Sequence, residues 1–307
     1  CRRTGIKLGF RLPRLTPGVR RLIVLGVPGA LAAGVTQINI MVTGSIATLQ
    51  EGARSWLYYA DRLYQLPLGV IGIAMGVALL PTLSKRLRAG DDTGASDTMN
   101  RALEISMGLT LPSAIALAVI PDFIITGLYQ RGAFTALDAQ MASAALTAFA
   151  IGLPAFVLIK VLSPGFFARQ DTATPMKFAA IGVVVNIVLG LALFFSPVGF
   201  VGLAIATATA GWINAALLGF VLHRRGLLVL DARLKSKLVR IALASAIMGA
   251  AVAAMALQRD LVTVWTGGSV FLALLAVVAA GGAIYAALAL ITGAVRIAEL
   301  RKAMKRG

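Results

Sequence analysis

Apolar residues fall into eight long runs, broken by short stretches where Gly, Pro, Asp and Arg gather. The runs cover residues 22–49, 55–83, 103–125, 141–162, 175–195, 198–222, 238–257 and 268–291. A helix needs about 20 apolar residues to cross the hydrocarbon core of a bilayer, and each run meets that length. The pattern predicts an all-α, polytopic membrane helical bundle with eight transmembrane spans. Helix-start signals mark several boundaries. Thr16 before Pro17, and Thr174 before Pro175, read as N-caps with proline in the first turn. Thr135 followed by Asp138 reads as a capping box ahead of the fourth span. Pro28, Pro67, Pro112 and Pro154 lie inside or near the ends of four spans, where each removes a backbone N–H and frees a carbonyl. Such breaks suit a transporter that rocks between states, and equally a kinked, static bundle.

The polar residues inside the runs are not scattered. In the second run Ser55, Tyr58, Arg62, Gln65, Gly69, Gly72 and Gly76 recur at steps of three and four, which places them on one helix face. Leu57, Leu63, Leu68, Ile71 and Leu79 take the other faces. A cation at membrane depth is costly, so it normally faces a water-filled cavity or a partner charge. Arg62 therefore marks a candidate site for an anion, with Tyr58 and Gln65 on the same wall. An arginine snorkelling from near the helix end is the alternative. The first run repeats the spacing with Gly29, Ala32, Thr36, Asn39 and Thr43, and Thr36 and Asn39 are expected to line the same cavity. Lys160, in the fourth run, is a further candidate, with snorkelling again the alternative. In the fifth and sixth runs, Gly182, Asn186 and Gly190, and Thr207, Gly211 and Asn214, read as small-residue packing faces. Asp61 adjoins Arg62, but adjacent helix positions point apart, so Asp61 is expected to pair elsewhere. Glu104 is expected at the membrane interface.

Of the 307 residues, 59% are hydrophobic and 13% charged, against about 25% charged in soluble domains. The net charge of +17 raises the question of nucleic acid. The distribution answers it. Of the 29 Lys and Arg residues, 24 fall in segments 2–21, 85–101, 169–177, 224–240 and 296–306, all on one side of the alternating spans. Arg54, Arg131 and Arg259 lie on the other side. The asymmetry predicts cytoplasmic termini, and it assigns the charge to topology and anionic membrane lipid, not to nucleic acid. One Cys and one His leave no disulfide framework and no Cys/His metal cluster. No nucleophile–His–acid set, paired intramembrane carboxylates or glycine-rich phosphate loop points to an enzyme. The chain divides into a basic interfacial segment (1–21), a six-span unit (22–225), and a basic linker with a two-helix appendix and basic tail (226–307). Cys1 followed by Arg2 and Arg3, with no initiator Met, reads as the start of a fragment.

Residues 51–84, EGARSWLYYADRLYQLPLGVIGIAMGVALLPTLS, resemble the MurJ (MviN) family of lipid II flippases in the multidrug/oligosaccharidyl-lipid/polysaccharide (MOP) exporter superfamily. LYQRGAFTALDAQ at 128–140 and the stretch from Gly152 through GFFARQDTATP to Pro175 agree in order and spacing. The resemblance implies half of a two-lobe MATE-like transporter fold: the second six-helix lobe plus two extra helices, with the N-terminal lobe missing from this chain. It implies a non-enzymatic transporter in the bacterial inner membrane. The cargo would be lipid II, the undecaprenyl-pyrophosphate-linked disaccharide-peptide used in cell-wall synthesis. Arg62, in YADRL, corresponds to a cavity arginine, and the extra helices to a groove for the lipid tail. Some relatives bind sodium through an acid on the first span and an Asn-x-x-x-Asp pair on the fifth. Thr43 stands at the first position here, and Asn186 is followed by Gly190, so no metal and no cofactor is expected. Two alternatives stay open. One is another transporter of the superfamily, a lipid-linked oligosaccharide flippase or a cation/drug antiporter. The other is a non-transporting membrane scaffold for cell-wall enzymes.

Overall fold

The computed structural model describes residues 16–294, apart from the side chains of residues 18, 21–25, 27–33, 35–36 and 73–77. The expected interfacial segment and basic tail lie largely outside that range. The described residues form helices and no strand: α1 (Pro17–Ala47), α2 (Ala53–Arg88), α3 (Asp92–Val119), α4 (Pro121–Tyr129), α5 (Ala136–Phe167), α6 (Ala173–Phe194), α7 (Val201–Arg224), α8 (Ala232–Leu257), α9 (Arg259–Trp265) and α10 (Val270–Ile291). Among the described residues α3, α5, α6, α7, α8 and α10 are long and apolar enough to cross a membrane. The first two expected spans fall on α1 and α2, of 31 and 36 residues.

Local chemistry explains the helix starts. Thr16 caps α1, accepting from Val19 N at 3.3 Å. Thr135 and Asp138 close the capping box on α5. Thr174 is not a cap: α6 opens at Ala173, and the Asp171 carboxylate accepts from Thr174 N (3.0 Å), Thr174 Oγ1 (2.8 Å) and Arg225 Nη1 (2.8 Å). Burial pushes the Asp171 carboxyl up, but Arg225 and Thr174 outweigh it and hold it below its ordinary value. The expected third span is cut short. Pro121 steers Ile120 out of the helical region (φ −123°, ψ 43°), so α3 ends at Val119 and a short α4 follows.

The arrangement centres on α5, which packs against α2, α3, α4 and α7. Helix α7 lies between α5 and α6, and α6 carries α1. Gly152 sets the closest approach of α5 to α7, since a Cβ there would stand 2.8 Å from Ala208 Cα and Cβ. Contact is sparse between α1 and α2 and between α5 and α6. A cleft therefore separates the α1/α6 pair from the α2/α5 pair, with α7 behind it.

The segment from the α8 linker through α9 and α10 is tied to α3 and α4 at three depths. At the basic end, Val229 is held by both backbone groups. Its N–H donates to Ser96 Oγ (3.1 Å), and its carbonyl accepts from Asn100 Nδ2 (2.8 Å). Asp231 caps α8 through Leu234 N at 2.6 Å and pairs with Arg101. Glu104 is only 6% exposed and ion-pairs with Lys237, Arg101 and Arg233. Glu104 thus lies inside the α3–α8 contact at the basic end, where a carboxylate requires several donors to offset its lost hydration. Midway along α3, Pro112 has no N–H for the carbonyl four residues back. That carbonyl belongs to Gly108, and Tyr285 Oη of α10 donates to it at 2.5 Å. At the far end Arg259 Nη1 pairs with Asp122 Oδ2 at 3.1 Å.

Tyr285→Phe is expected to lower the unfolding free energy in detergent by about 1–2 kcal/mol, because it orphans the Gly108 carbonyl. The same change in a Pro112→Ala background should cost much less, since an alanine there restores the in-helix donor. Equal losses in both backgrounds would disprove the link. Glu104→Gln removes the anion shared by three cations and is expected to cost about 3–5 kcal/mol. Lys237→Met should cost less, because Glu104 keeps Arg101 and Arg233. A reversed order in chemical unfolding would show that the cluster is organised around another group.

Candidate functional site

The polar stripe of α2 is an exposed face. Ser55, Tyr58, Arg62, Gln65 and Gly69 are exposed and Gly72 is half-buried, while Leu57, Leu63, Ile71 and Leu79 are buried on the other sides. Helical periodicity and packing on α5 and α3 together produce this division. Arg62 Cζ sits 4.7 Å above the Tyr58 ring, within cation–π range. No carboxylate among the described residues forms an ion pair with Arg62. Its neighbour Asp61 turns to Gln65, whose Nε2 donates to Asp61 Oδ2. The expected separation of Asp61 from Arg62 thus has a specific partner, and Gln65 is held in place by it.

Lys160 reaches the same face from α5. Its side chain is exposed, and its Cγ lies 3.7 Å from where a Cβ on Gly72 would stand. The aliphatic stem therefore runs across the glycine stripe of α2. Gly72 is ten residues beyond Arg62, about 15 Å along the helix. No ion pair or hydrogen bond holds the Lys160 ammonium among the described residues. Two cations without counter-ions thus point off one surface. An anion bound there would supply the missing charge.

Asn39 is placed elsewhere. Its Oδ1 accepts from Asn186 Nδ2 at 2.9 Å, and Asn186 Oδ1 accepts from Thr207 Oγ1 at 3.3 Å. These residues join α1 to α6 and α7 and, with Asn214, line a separate cavity of about 140 Å³. Asn39 therefore shares a network with the expected packing faces, not a contact with Arg62. The Thr36 side chain lies outside the described residues. Gly190 packs against Leu203 Cδ2, and the Asn186 amide is engaged by Asn39 and Thr207. No cluster of three His, Cys, Asp or Glu side chains with metal-binding geometry occurs among the described residues.

Sequence reasoning missed the aromatic group beside this face. Tyr58 contacts Tyr59 edge-on at 5.9 Å, and Tyr59 meets Tyr129 at 4.8 Å and Phe134 at 5.1 Å. Tyr129 and Phe134 lie some seventy positions from Tyr59 in the chain, so no local periodicity links them. The only signal was the LYQRGAF stretch.

The family model described as "Lipid II flippase MurJ" matches residues 1–278. A probable lipid II flippase MurJ of Rhizobium meliloti is 46% identical over 308 residues, covering 100% of this chain and 57% of the relative. A counterpart from Rhizobium tropici is 43% identical over 310 residues, covering 99% of this chain and 57% of its own length. This chain therefore spans a little over half the length of these relatives. Among solved structures, "Lipid II flippase MurJ, inward closed conformation" superposes with a TM-score of 0.71 at 25% identity, over 91% of this chain and 56% of the other. An outward-facing multidrug resistance MATE transporter of the MOP superfamily shares the fold, with a TM-score of 0.58 at 17% identity over 84% of this chain and 60% of the other. With its all-helical architecture, its exposed arginine face and a family match over residues 1–278, the chain belongs to the MurJ lipid II flippase family.

Proposed function

We propose that residues 22–225 form the C-terminal lobe, and residues 226–307 the linker, appendix and tail, of a lipid II flippase in a bacterial inner membrane, with both ends of this chain cytoplasmic. The observation that carries the reading is the exposed α2 face, where Arg62 and Lys160 stand without carboxylate partners. Exposed to hydrocarbon, that face would be costly. Set against an N-terminal lobe, it becomes one wall of a polar cavity. Arg62 is the donor to the pyrophosphate, because its planar fork matches phosphate oxygens. The Tyr58 ring orients Arg62, Gln65 adds an amide on the same wall, and Lys160 extends the positive potential toward the basic end. Asn39 is assigned to holding α1 against α6. The polyprenyl tail stays in lipid beside α8 and α10.

Charge gives the direction. Each negative charge moved outward across an inside-negative membrane gains about 2.3 kcal/mol per 100 mV, so the headgroup's own charge can bias transport with no metal or cofactor.

Arg62→Ala in the full-length protein is expected to abolish complementation of a flippase-depleted strain at normal membrane levels. Arg62→Lys should restore growth only in part, since it keeps the charge and loses the fork. Wild-type growth with Arg62→Ala would remove Arg62 from the site, and a non-transporting scaffold would behave that way. A second expectation concerns the two lobes. This chain expressed alone should insert but neither flip lipid nor stay monodisperse in mild detergent, and co-expression with the N-terminal lobe should restore both. Rescue of growth by the chain alone would show that one lobe suffices.

A further inference from the structure

Beyond the Arg62 face, where α2 and α5 begin and α4 ends, lies an open cavity of about 540 Å³. Its walls include Ser55, Trp56, Tyr59, Tyr129, Arg131 and Phe134. The frame is fixed by bonds that leave the cavity free. Trp56 Nε1 donates to Asp138 Oδ1 at 2.7 Å, and Asp138 Oδ2 accepts from Thr135 N (2.8 Å) and Thr135 Oγ1 (2.7 Å). Both oxygens of the one lining carboxylate are thus engaged. Gly52 has φ +79°, and a Cβ there would stand 2.5 Å from Trp56 Cζ2, so glycine is needed for the indole to lie over the turn. The loop that carries Arg131 is short and pinned. Arg131 N donates to Tyr129 O at 2.7 Å, and Phe134 N donates to Arg131 O at 3.3 Å.

What remains available is specific. The Arg131 guanidinium is exposed and has no ion pair or hydrogen bond among the described residues. The rings of Tyr59, Tyr129 and Phe134 gather with centroids 4.8–6.2 Å apart. A prearranged aromatic wall beside one free guanidinium suits a ligand with an apolar or amide body and one carboxylate. The lining Asp138 carboxylate is saturated by neutral donors, so a ligand carboxylate is directed to Arg131. The volume falls in the range of small-ligand sites. The cavity is also contiguous with the Arg62 face. Arg62 lies over Tyr58, and Tyr58 meets Tyr59, which lines the cavity. Ser55 is seven residues before Arg62, about 10 Å along the helix, a span that three extended peptide residues cover.

We propose that this cavity is a carboxylate-reading subsite for the peptide portion of the transported headgroup, with Arg131 as the ion-pair donor and Tyr59, Tyr129 and Phe134 as the apolar wall. The identity of the ligand rests on the flippase reading above. The carboxylate preference rests on the cavity alone. With the pyrophosphate at Arg62, the peptide would extend toward this end of the lobe and dock as the headgroup emerges.

The test is calorimetric titration of the full-length protein with N-acetylmuramyl pentapeptide, which carries neither pyrophosphate nor lipid. The same peptide with its carboxylates amidated, and neutral diacetylchitobiose, serve as comparisons. The acid form is expected to bind about tenfold more tightly than the amidated form, the difference expected of one charge-assisted contact. Arg131→Gln should erase that difference, Arg131→Lys should keep part of it, and Arg62→Ala should leave it unchanged. Four results would overturn the proposal: equal binding of acid and amide forms, an undiminished preference in Arg131→Gln, chitobiose binding as tightly as the acid peptide, or displacement of the probe by equimolar inorganic phosphate. Lipid II translocation by Arg62→Ala, measured in parallel, separates the two ideas. Normal translocation there sinks the flippase site and leaves the probe result to judge the cavity.

Discussion

A polar group inside hydrocarbon has no water to fall back on, and this one constraint orders the lobe. Where proline takes a donor from α3, a tyrosine from α10 supplies one. The Glu104 carboxylate inside the α3–α8 contact collects three cations. Where Asn186 is buried, Asn39 and Thr207 meet its amide. Satisfaction is common and not universal: among the described residues the buried Asn100 Oδ1, Ser106 Oγ, Asn214 Oδ1 and Ser245 Oγ have no partner. On the exposed α2 face Arg62 and Lys160 have no ion pair among the described residues, and the flippase proposed above would set its other half against that face.

Helix existence was legible because apolar run length and a three/four spacing are local properties. The α2 face could be read the same way: between Ser55 and Gly69 one stripe contained every exposed residue except Leu66. The misread parts depend on distant partners. The burial of Glu104 was not legible because two of its three partners, Lys237 and Arg233, lie about 130 positions away. Asn39 matched the Arg62 stripe in spacing, but spacing fixes a face of one helix and not which neighbour it meets. Helix α3 began earlier than its apolar run, because the polar residues from Ser96 to Glu104 serve as a docking strip for the linker to α8. A hydropathy pattern records such a strip as loop. Thr174 shows the same limit at short range: proline marked the helix start, and an acid three residues upstream took the capping role.

The bundle also divides labour by residue size. Small residues bring α5 and α7 together at Gly152 and Ala208, and aromatic residues fill the end where α2, α4 and α5 meet. Tight backbone contact makes α5 the shared core of the lobe, while rings leave an opening at its mouth. Packing and access are thus handled at different depths of the same helices.

The three ties from the α8–α10 segment to α3 and α4 have a mechanical consequence. Contacts near both ends and the middle of this segment oppose its sliding or tilting against the lobe. The appendix is then expected to move with the lobe as an outrigger. A lobe that rocks sweeps this outrigger through the surrounding lipid, and the bilayer must deform around it on each cycle. In the flippase proposed above, membrane stiffness and thickness would thereby bear on turnover through helices set apart from the Arg62 face.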